Sequence, residues 1–568
     1  MVNVKNLFGM AVMATALVGC SSNDNLAPDG KDNVGKTGEA YASFTINLPT
    51  TSGTRATEGE PSFDEGAAKE YEVKNGTILI FDKDGLYVTS AQLGTMNPWT
   101  PVKTDGVTTA AITTVQLSGV KVGGNYQALV LLNNDVDATT SKVTLPATGT
   151  PYATWSADAS KVNAEKYAST DAIFMANAPM YTGTTTEPTT LVPIANVCAS
   201  REEAQAKAAT TVYVERGLSK VTMKNFDPSY TIAAGTYKDD EVVINAWQLD
   251  VTNKSTFPVH QTGGLLTGFD AIWRTPRFYD GANTKFQRVY WGEDPNYSGA
   301  TLQNLEACND AFKMIGKGDI AGLTGNDHPQ YCLENTFDLA NMMQGQTTRV
   351  VFKAVYTPKA LVGKTGDDLT FFKIGNNTAI WTKANLEEQI KTVALTAMGV
   401  TTEAEKAKYS VNLEAGGENS IAKKAGQHLI KAENITYTGD AADNQVDEDV
   451  VNKINEKLGL KEEGGKITSG IATYLHGEAY YIARIKHFNE LTPWTAGTPY
   501  NGDNNAFLGR YGVLRNNWYD LSVTSISGLG YPDVPEVKPT VPDDENEQYI
   551  NVEVKILSWA KRSQQIKL

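Results

Sequence analysis

The sequence predicts an all-β protein with minor helical insertions, built from more than one β-sandwich. Short apolar or alternating runs recur along most of the chain, separated by turns that contain Gly, Pro, Asn or Asp. Glycine is abundant, at 49 residues, while long helical patterns are few. The chain has 568 residues, which is more than one hydrophobic core supports, so we expect two or three domains.

The first predicted strand is an amphipathic stretch near the amino end. Its apolar face consists of Ala42, Phe44, Ile46 and Leu48, which alternate with polar residues. Pro49 ends the strand because it has no N–H to donate. Residues 50–60 are small and polar and include one basic residue, Arg55. Because such a segment cannot bury itself, we expect it to be exposed and open to a protease.

Further strands and two helices follow along the chain. Strands are predicted at residues 77–81, 126–132, 212–215, 219–223, 230–234, 242–251, 348–356, 479–487 and 518–526. Asp82–Gly85 has the composition of a hairpin turn. Residues 383–398 form the clearest helical pattern, with Thr382 as cap and Gly399 at the end, and a second helix is predicted at 447–458. We interpret both helices as insertions into a second β domain.

The carboxyl end combines a proline-rich stretch with a second amphipathic strand. Residues 530–548 are acidic and contain four prolines at 532, 535, 539 and 542, which predicts an extended linker. The following strand has an apolar face of Ile550, Val552, Val554 and Ile556. Because it follows a linker and not a hairpin turn, its own domain is not obliged to hold it.

The amino end has the pattern of an export signal. Lys5 precedes an apolar run at 7–18, which is too short to span a bilayer as a helix. The run ends in Leu-Val-Gly-Cys at 17–20, which resembles a bacterial lipobox, so Cys20 is the predicted lipidation site. The alternative is an ordinary secretory signal with a chance cysteine. Residues 21–39 are polar and predict a flexible tether.

Composition and motifs argue against several function classes. The net charge of −15 disfavours nucleic acid as a partner, because binding it requires a basic patch. None of the five histidines lies near another at metal-ligand spacing, and no HExxH or GxSxG motif occurs, so we predict no metal, no cofactor and no catalytic residue. A pair of catalytic carboxylates for glycoside hydrolysis stays an open alternative, since the two residues of such a pair need not be close in sequence. An oxidising envelope would allow Cys308 and Cys332 to form a disulfide, which would leave Cys198 unpaired.

Five features, taken in this order, resemble the Bacteroidales-type fimbrillins, and within them the minor-fimbrium (Mfa-type) shaft subunits. They are the lipobox, the strand before Arg55, Val-Glu-Arg-Gly-Leu-Ser-Lys-Val at 214–221, Gly-Val-Leu-Arg-Asn-Asn-Trp-Tyr at 512–519, and Val-Glu-Val-Lys-Ile-Leu-Ser-Trp at 552–559. Two features depart from the pattern. Ser558 stands where proline is expected, and the tail at 561–568 is more basic.

The resemblance implies two tandem transthyretin-like β-sandwich domains and a tethered C-terminal strand. It implies export as an outer-membrane lipoprotein, cleavage between Arg55 and Ala56 by a trypsin-like Arg-specific protease, and polymerisation with copies of itself and with accessory anchor and tip subunits into a surface fimbrium. The expected division is a signal peptide at 1–19, a tether and removable strand at 20–55, domains at 56–257 and 258–531, and the linker with the donor strand at 532–568.

Physical chemistry agrees with this mechanism. Loss of the strand at 42–48 opens an apolar groove flanked by unpaired backbone groups, and a strand from another copy can fill it by β-augmentation. Residues 532–548, if extended, reach about 50 Å. Head-to-tail contacts of this kind do not close, so they produce a filament. The alternatives are a glycan-binding surface lipoprotein of a polysaccharide-uptake system, or a fimbrial anchor or tip component. An enzyme is disfavoured because no catalytic motif occurs.

Overall fold

The structure is a computed structural model. It describes residues 37–49, 66–94, 100–101, 107–180, 189–223, 228–262, 291–297, 302–320, 328–336, 341–440, 446–487, 510–543 and 550–557. The predicted lipidation site Cys20 and the predicted cleavage site between Arg55 and Ala56 lie outside these residues. Within the described part of the chain, no helix is long and apolar enough to cross a membrane.

The first half of the chain forms one nine-stranded sheet. Its strands are β1 (Thr37–Pro49), β2 (Gly76–Asp82), β3 (Tyr87–Gln92), β4 (Thr100–Pro101), β5 (Val107–Lys121), β6 (Tyr126–Leu132), β7 (Met175–Asn177), β8 (Val192–Pro193) and β9 (Thr210–Arg216). Their order is β3-β2-β6-β7-β9-β1-β5-β4, with β8 beside β6. Inward residues of β1, β2, β5, β6 and β9 share one apolar core, so the sheet encloses its own interior.

The second half forms a β-sandwich and four smaller sheets. Its strands are β10 (Leu218–Met223), β11 (Ser229–Thr231), β12 (Glu241–Asp250), β13 (Thr252–Asn253), β14 (Phe312–Lys313), β15 (Gln330–Leu333), β16 (Arg349–Thr357), β17 (Phe371–Ile374), β18 (Tyr409–Val411), β19 (Gly426–His428), β20 (Ile435–Tyr437), β21 (Lys461–Glu463), β22 (Lys466–Ser469), β23 (Ile471–Tyr474), β24 (Glu478–Arg484), β25 (Trp518–Ile526) and β26 (Ile550–Leu557). The sheets β15-β10-β25-β26 and β11-β12-β16-β24 share a core that includes Met223, Trp247, Phe352 and Leu521.

The helices are short and lie between strands. They are α1 (Ala68–Tyr71), α2 (Tyr152–Ser156), α3 (Ala164–Tyr167), α4 (Arg201–Ala206), α5 (Leu305–Ala311), α6 (Lys383–Ala397), α7 (Glu403–Lys406) and α8 (Glu448–Lys457). The Thr382 hydroxyl accepts a hydrogen bond from the Asn385 amide, and Gly399 ends α6 with a φ of 70°. Both predicted helices, α6 and α8, pack in a separate core between β16 and β24, so the predicted all-β fold with helical insertions is confirmed.

Strand pairing changes from the first sheet to the second at Gly217. β9 ends at Arg216 in the first sheet, and β10 begins at Leu218 in the sandwich. A Cβ atom on residue 217 would lie 2.3 Å from the Tyr167 hydroxyl oxygen, so the crossing requires glycine. The predicted domain boundary at residue 257 places β10, β11 and β12 in the first domain. In the structure β10 pairs with β25, and β11 pairs with β12, which in turn pairs with β16.

The proline-rich stretch is not a free tether over its described length. Arg349 donates a hydrogen bond of 2.6 Å to the Pro535 carbonyl, and the Gln344 amide donates one of 2.9 Å to the Val541 carbonyl. Val537 and Asp543 are buried, the second completely. The prediction of an extended linker is therefore wrong for residues 531–543. Proline composition gives the backbone an extended shape, but the carbonyls can still bind a neighbouring surface.

The cysteines in the described residues are unpaired. Cys198, Cys308 and Cys332 are all buried free thiols, so the disulfide considered for Cys308 and Cys332 does not form. Cys308 packs on α5 beside Phe312, whereas Cys332 lies in the sandwich core. Burial raises the pKa of the Cys308 thiol to about 11 and that of Cys332 to about 12, so both thiols are protonated at neutral pH.

Candidate functional site

The candidate site is built around β1, which lies inside its sheet with a neighbour on each side. β1 pairs antiparallel with β5, from Thr37 opposite Lys121 to Pro49 opposite Val107. It also pairs parallel with β9 over residues 44–47. Closer to its start, Tyr41 exchanges two backbone hydrogen bonds of 2.9 and 2.8 Å with Cys198. Removing β1 would therefore leave unpaired backbone groups on both flanking segments.

The apolar face of β1 is part of the core. Ala42, Phe44 and Ile46 are each completely buried, and they pack with core residues that include Ile80, Val115 and Val130. This burial agrees with the inward face predicted from the alternation. The side chain of Leu48 lies outside the described residues, and the removal of the strand stays a prediction.

The polar face of β1 is covered by helix α4. The Ser43 hydroxyl donates a hydrogen bond of 2.8 Å to the Ala204 carbonyl. The Arg201 guanidinium donates one of 2.9 Å to the Thr114 carbonyl and lies 5.8 Å from the centre of the Tyr41 ring. β1 is thus held from both faces as well as from both edges.

Sequence reasoning missed this cover, although a signal for α4 was present. The Ser200 hydroxyl accepts a hydrogen bond of 3.1 Å from the Glu203 amide, and the Glu203 carboxylate accepts one of 3.0 Å from the Ala199 amide. Ser-x-x-Glu at 200–203 is the pattern of a capping box, which marks the start of a helix. The pattern reveals the helix but not the strand that it covers.

The predicted donor strand, β26, occupies a different position from β1. It pairs antiparallel with β25 along its whole length, from Ile550 opposite Ile526 to Leu557 opposite Trp518, with a bulge at Thr524. In the described part of the chain, it is the last strand of its sheet and has one neighbour. The register places Ile550, Val552, Val554 and Ile556 opposite Ile526, Val523, Leu521 and Tyr519, which all belong to the sandwich core.

The docking of β26 to its own sandwich departs from the sequence interpretation. The sequence suggested a strand that its own domain need not hold, and the structure shows the strand paired with that domain. The backbone edge of β25 can pair with any strand whose apolar residues face the sandwich core. This pairing does not depend on whether a hairpin turn or a linker precedes the strand.

Two of the motifs that carried the resemblance meet at the crossing between the sheets. Arg216, from the first motif, donates a 2.8 Å hydrogen bond to the Glu70 carbonyl and one of 3.3 Å to the Asn516 side-chain oxygen. The Ser219 hydroxyl donates one of 2.6 Å to the Leu514 carbonyl, so the motifs at 214–221 and 512–519 are bonded to each other. Their role in this structure is to fix the first sheet to the second.

Buried charges complete this junction and include helix α1. Lys220 lies 2.7 Å from the Glu70 carboxylate and 3.6 Å from the centre of the Trp518 ring, and both charged side chains are almost completely buried. Tyr331 donates a further hydrogen bond to Glu70. Because α1 is the first described helix after Arg55, the chain that follows the predicted cleavage site is anchored to the sandwich independently of β1.

The described residues contain no cluster of three His, Cys, Asp or Glu side chains that could hold a metal ion. His260 instead lies 2.7 Å from the Glu215 carboxylate, and the ring of His487 lies 2.7 Å from the Tyr519 hydroxyl. Both of these histidines take part in packing and hydrogen bonding inside the fold.

Comparison with known proteins gives one family match. Residues 472–565 match the family described as major fimbrial subunit protein type IV, fimbrillin, C-terminal. The matched region begins within β23 and includes β24, β25 and β26. No curated protein matches the chain.

Solved structures resemble the chain at low similarity. A candidate cell adhesion protein from Parabacteroides distasonis has 11% identity and a TM-score of 0.39, with 92% of this chain and 99% of that one covered. Another from Bacteroides eggerthii has 11% identity and a TM-score of 0.31, with 94% and 100% covered. The tip fimbrial protein Mfa3 from Porphyromonas gingivalis has 10% identity and a TM-score of 0.26, with 91% and 100% covered.

The sequence match at 472–565 covers the late strands on which part of the predicted resemblance was based. The resemblance to the fimbrillins is therefore confirmed by a family match over residues 472–565.

Proposed function

We propose that this protein is a structural shaft subunit of a cell-surface fimbrium and has no catalytic role. It is exported as a lipoprotein anchored to the outer membrane through Cys20, cut between Arg55 and Ala56, and polymerised when the C-terminal strand of one copy replaces β1 of another. The observation that carries the proposal is the position of β1. It is an internal strand of its sheet, and it ends six residues before the one basic residue of the following polar segment.

Removal of β1 supplies the driving force for assembly. Phe44 and Ile46 are completely buried, and vacating their positions exposes apolar surface. Covering that surface again is favourable by roughly 1.5–3 kcal/mol of burial free energy for each large side chain. The backbone groups of β5 and β9 that face β1 would also lose their partners. A cut subunit therefore has an open groove that favours any strand of matching alternation.

The competing positions of β26 explain why exchange proceeds in one direction. In its own sandwich β26 makes one ladder of hydrogen bonds, with β25. In the vacated groove of another copy the same strand lies between β5 and β9 and makes two. The second ladder favours the intermolecular position.

The docked linker limits how far the strand can travel. Residues 531–543 are bonded to the sandwich, so the segment between this anchor and β26 is 544–549. Six residues span about 20 Å when fully extended. Exchange over a longer distance requires residues 531–543 to detach from the sandwich. Their release therefore sets how far β26 can extend toward a neighbouring copy. Repeated head-to-tail exchange gives an open filament, to which anchor and tip subunits attach at the ends.

Amino-terminal sequencing of purified filaments tests the proposal. Arg55 is the one Lys or Arg between Lys36 and Lys69, so we expect subunits that begin at Ala56. Arg55→Gln should stop both cleavage and assembly, whereas Lys36→Gln, which removes the same charge before β1, should change neither. Filament subunits that begin at Cys20 would contradict the proposal.

Labelled palmitate tests the anchoring step separately. We expect incorporation into the wild type and into Ser21→Ala, and none into Cys20→Ala. Unchanged incorporation and membrane association of Cys20→Ala would show that Cys20 is not the lipidation site.

A further inference from the structure

A cavity of about 360 Å³ opens in the insertion between β16 and β24. Its walls come from four separate segments: residues 367–372, the first residue of α6, the loop at 414–423, and the turn at 475–476. This volume lies within the range that small-molecule sites occupy. No residue of β1 or β26 lines the cavity, so it is independent of the assembly site.

His476 stands at this cavity in a backbone conformation that non-glycine residues seldom adopt. Its φ is 55° and its ψ is 25°, which lie in the left-handed region and strain the backbone. The backbone amide of His476 donates a 3.0 Å hydrogen bond to the Thr370 hydroxyl, and the His476 ring lies 2.8 Å from the Asp367 carboxylate. Because the side chains of His476 and Asp367 are 48% and 98% exposed, burial does not force this arrangement.

Charges of both signs alternate around the rest of the wall. Glu414 pairs with Lys383 and lies 3.8 Å from Lys423, and Glu418 adds a second carboxylate from the same loop. The hydrogen bond from Lys383 holds the pKa of Glu414 below its ordinary value, so this carboxylate is charged at neutral pH. A ligand with a net charge of either sign would thus meet repulsion from part of the wall.

The wall also has an apolar part. Ala422 and Leu475 line the cavity among the charged groups and are half-buried, and the completely buried Phe372 lies behind them. A ligand that fits must therefore combine carbon–hydrogen surface with groups that can both donate and accept hydrogen bonds. Hydroxyl groups do both, so they can bond to carboxylates and to ammonium groups alike.

We propose that this cavity binds a neutral sugar residue, with Asp367, Glu414 and Lys383 as hydrogen-bonding partners of its hydroxyls and His476 as the residue that orders the rim. Sugar binding goes beyond the assembly function and does not depend on it. It would give each subunit along a filament one site for a glycan.

Saturation-transfer NMR on the purified full chain tests this assignment. The probes are methyl glycosides of glucose, galactose, mannose and N-acetylglucosamine, with N-acetylneuraminic acid as a charged probe. We expect saturation of at least one neutral glycoside by the wild type, and weaker binding by about tenfold in Asp367→Asn and Glu414→Gln, which each lose a charged acceptor.

His476→Gly provides a variant that keeps the backbone, because glycine adopts a φ of 55° without strain. It should fold at least as well as the wild type in thermal melting and bind the same glycoside about tenfold more weakly. Asp239→Gly is the matched control, since Asp239 is exposed, has a φ of 69° and lies outside the cavity, and it should bind normally. Absence of saturation for every neutral glycoside, equal binding by His476→Gly, or binding of N-acetylneuraminic acid alone would overturn the proposal.

Discussion

The strands β1 and β26 share an apolar alternation but occupy opposite kinds of position. β1 lies between β5 and β9, its inward residues Ala42, Phe44 and Ile46 are completely buried, and helix α4 covers its other face. Among the described residues, β26 lies at the end of a four-stranded sheet and pairs with β25 alone. An internal strand cannot leave without opening its sheet, whereas an edge strand can detach and leave the rest of its sheet paired.

In the proposed exchange, this difference gives the two strands different roles. The enclosed strand would need a covalent cut in the segment after it before it could be replaced, and the edge strand would move while the chain stays intact. The junction of Arg216, Lys220 and Glu70 is unaffected by either event, because it holds α1 and the two sheets together without β1 or β26.

Deletion of residues 550–568 should have the largest effect on assembly. We expect complete loss of filaments in electron microscopy, together with a soluble monomer that still melts cooperatively, because the deletion removes an edge strand with one neighbour. Normal filaments from the deleted chain, or a monomer that no longer folds, would show that the strand is an ordinary part of its own sandwich.

A charge on the inward face of β26 should come close to the deletion in effect. The register places Val554 opposite Leu521, which is in the core. Val554→Lys would therefore put an unpaired charge against apolar surface, both in its own sandwich and in the groove that β1 vacates in another copy. Glu553→Lys, one position away, is the matched control and should polymerise normally. Equal filament yields from the two variants would remove the basis for the predicted donor face.

Within β1, we expect the inward and outward faces to differ in stability. Phe44→Ala in the uncut chain should lower the free energy of unfolding of the first sheet by about 3–5 kcal/mol, because it leaves a cavity in a closed core. Thr45→Ala, on the other face, should change it by no more than about 0.5 kcal/mol. Denaturant unfolding measures both, and similar values for the two variants would mean that β1 is not an integral part of that core.

The smallest expected effect concerns the docked linker. Val537→Ala should lower the free energy of local opening at 531–543 by about 1.5 kcal/mol, since two buried carbon groups are lost, and filament growth should accelerate. Glu536→Ala, which breaks an exposed ion pair with Lys466, should change it by about 0.5 kcal/mol or less. Hydrogen exchange reports both values, and unaltered exchange in Val537→Ala would mean that this contact does not hold the linker.

Much of the local structure could be predicted because alternation and turn residues act over short distances. The strand at 126–132 and the turn at 82–85 lie where the sequence placed them, as does helix α6 with its cap at Thr382. The inward face of β1 could likewise be derived from period-two alternation.

Long-range pairing could not be derived in the same way. Alternation shows which side of β1 is apolar, but not that β5 and β9 are its neighbours or that α4 covers its polar face. The crossing at Gly217 depends on close approach to Tyr167, and the docking of Val537 depends on a surface formed by residues far away in sequence. These contacts arise from packing between segments that are distant in sequence, so the local sequence pattern of one segment does not predict them.

The central claim is that a strand from a neighbouring copy takes the place of β1. An electron cryomicroscopy map of the purified filament with resolved side chains tests it most directly. We predict that the strand between β5 and β9 of each subunit is residues 550–557 of the next copy, with Val552 and Val554 facing the core that Phe44 and Ile46 occupy in the uncut chain. A map in which β1 still fills that position, or in which β26 stays paired with β25 of its own subunit, would contradict the account.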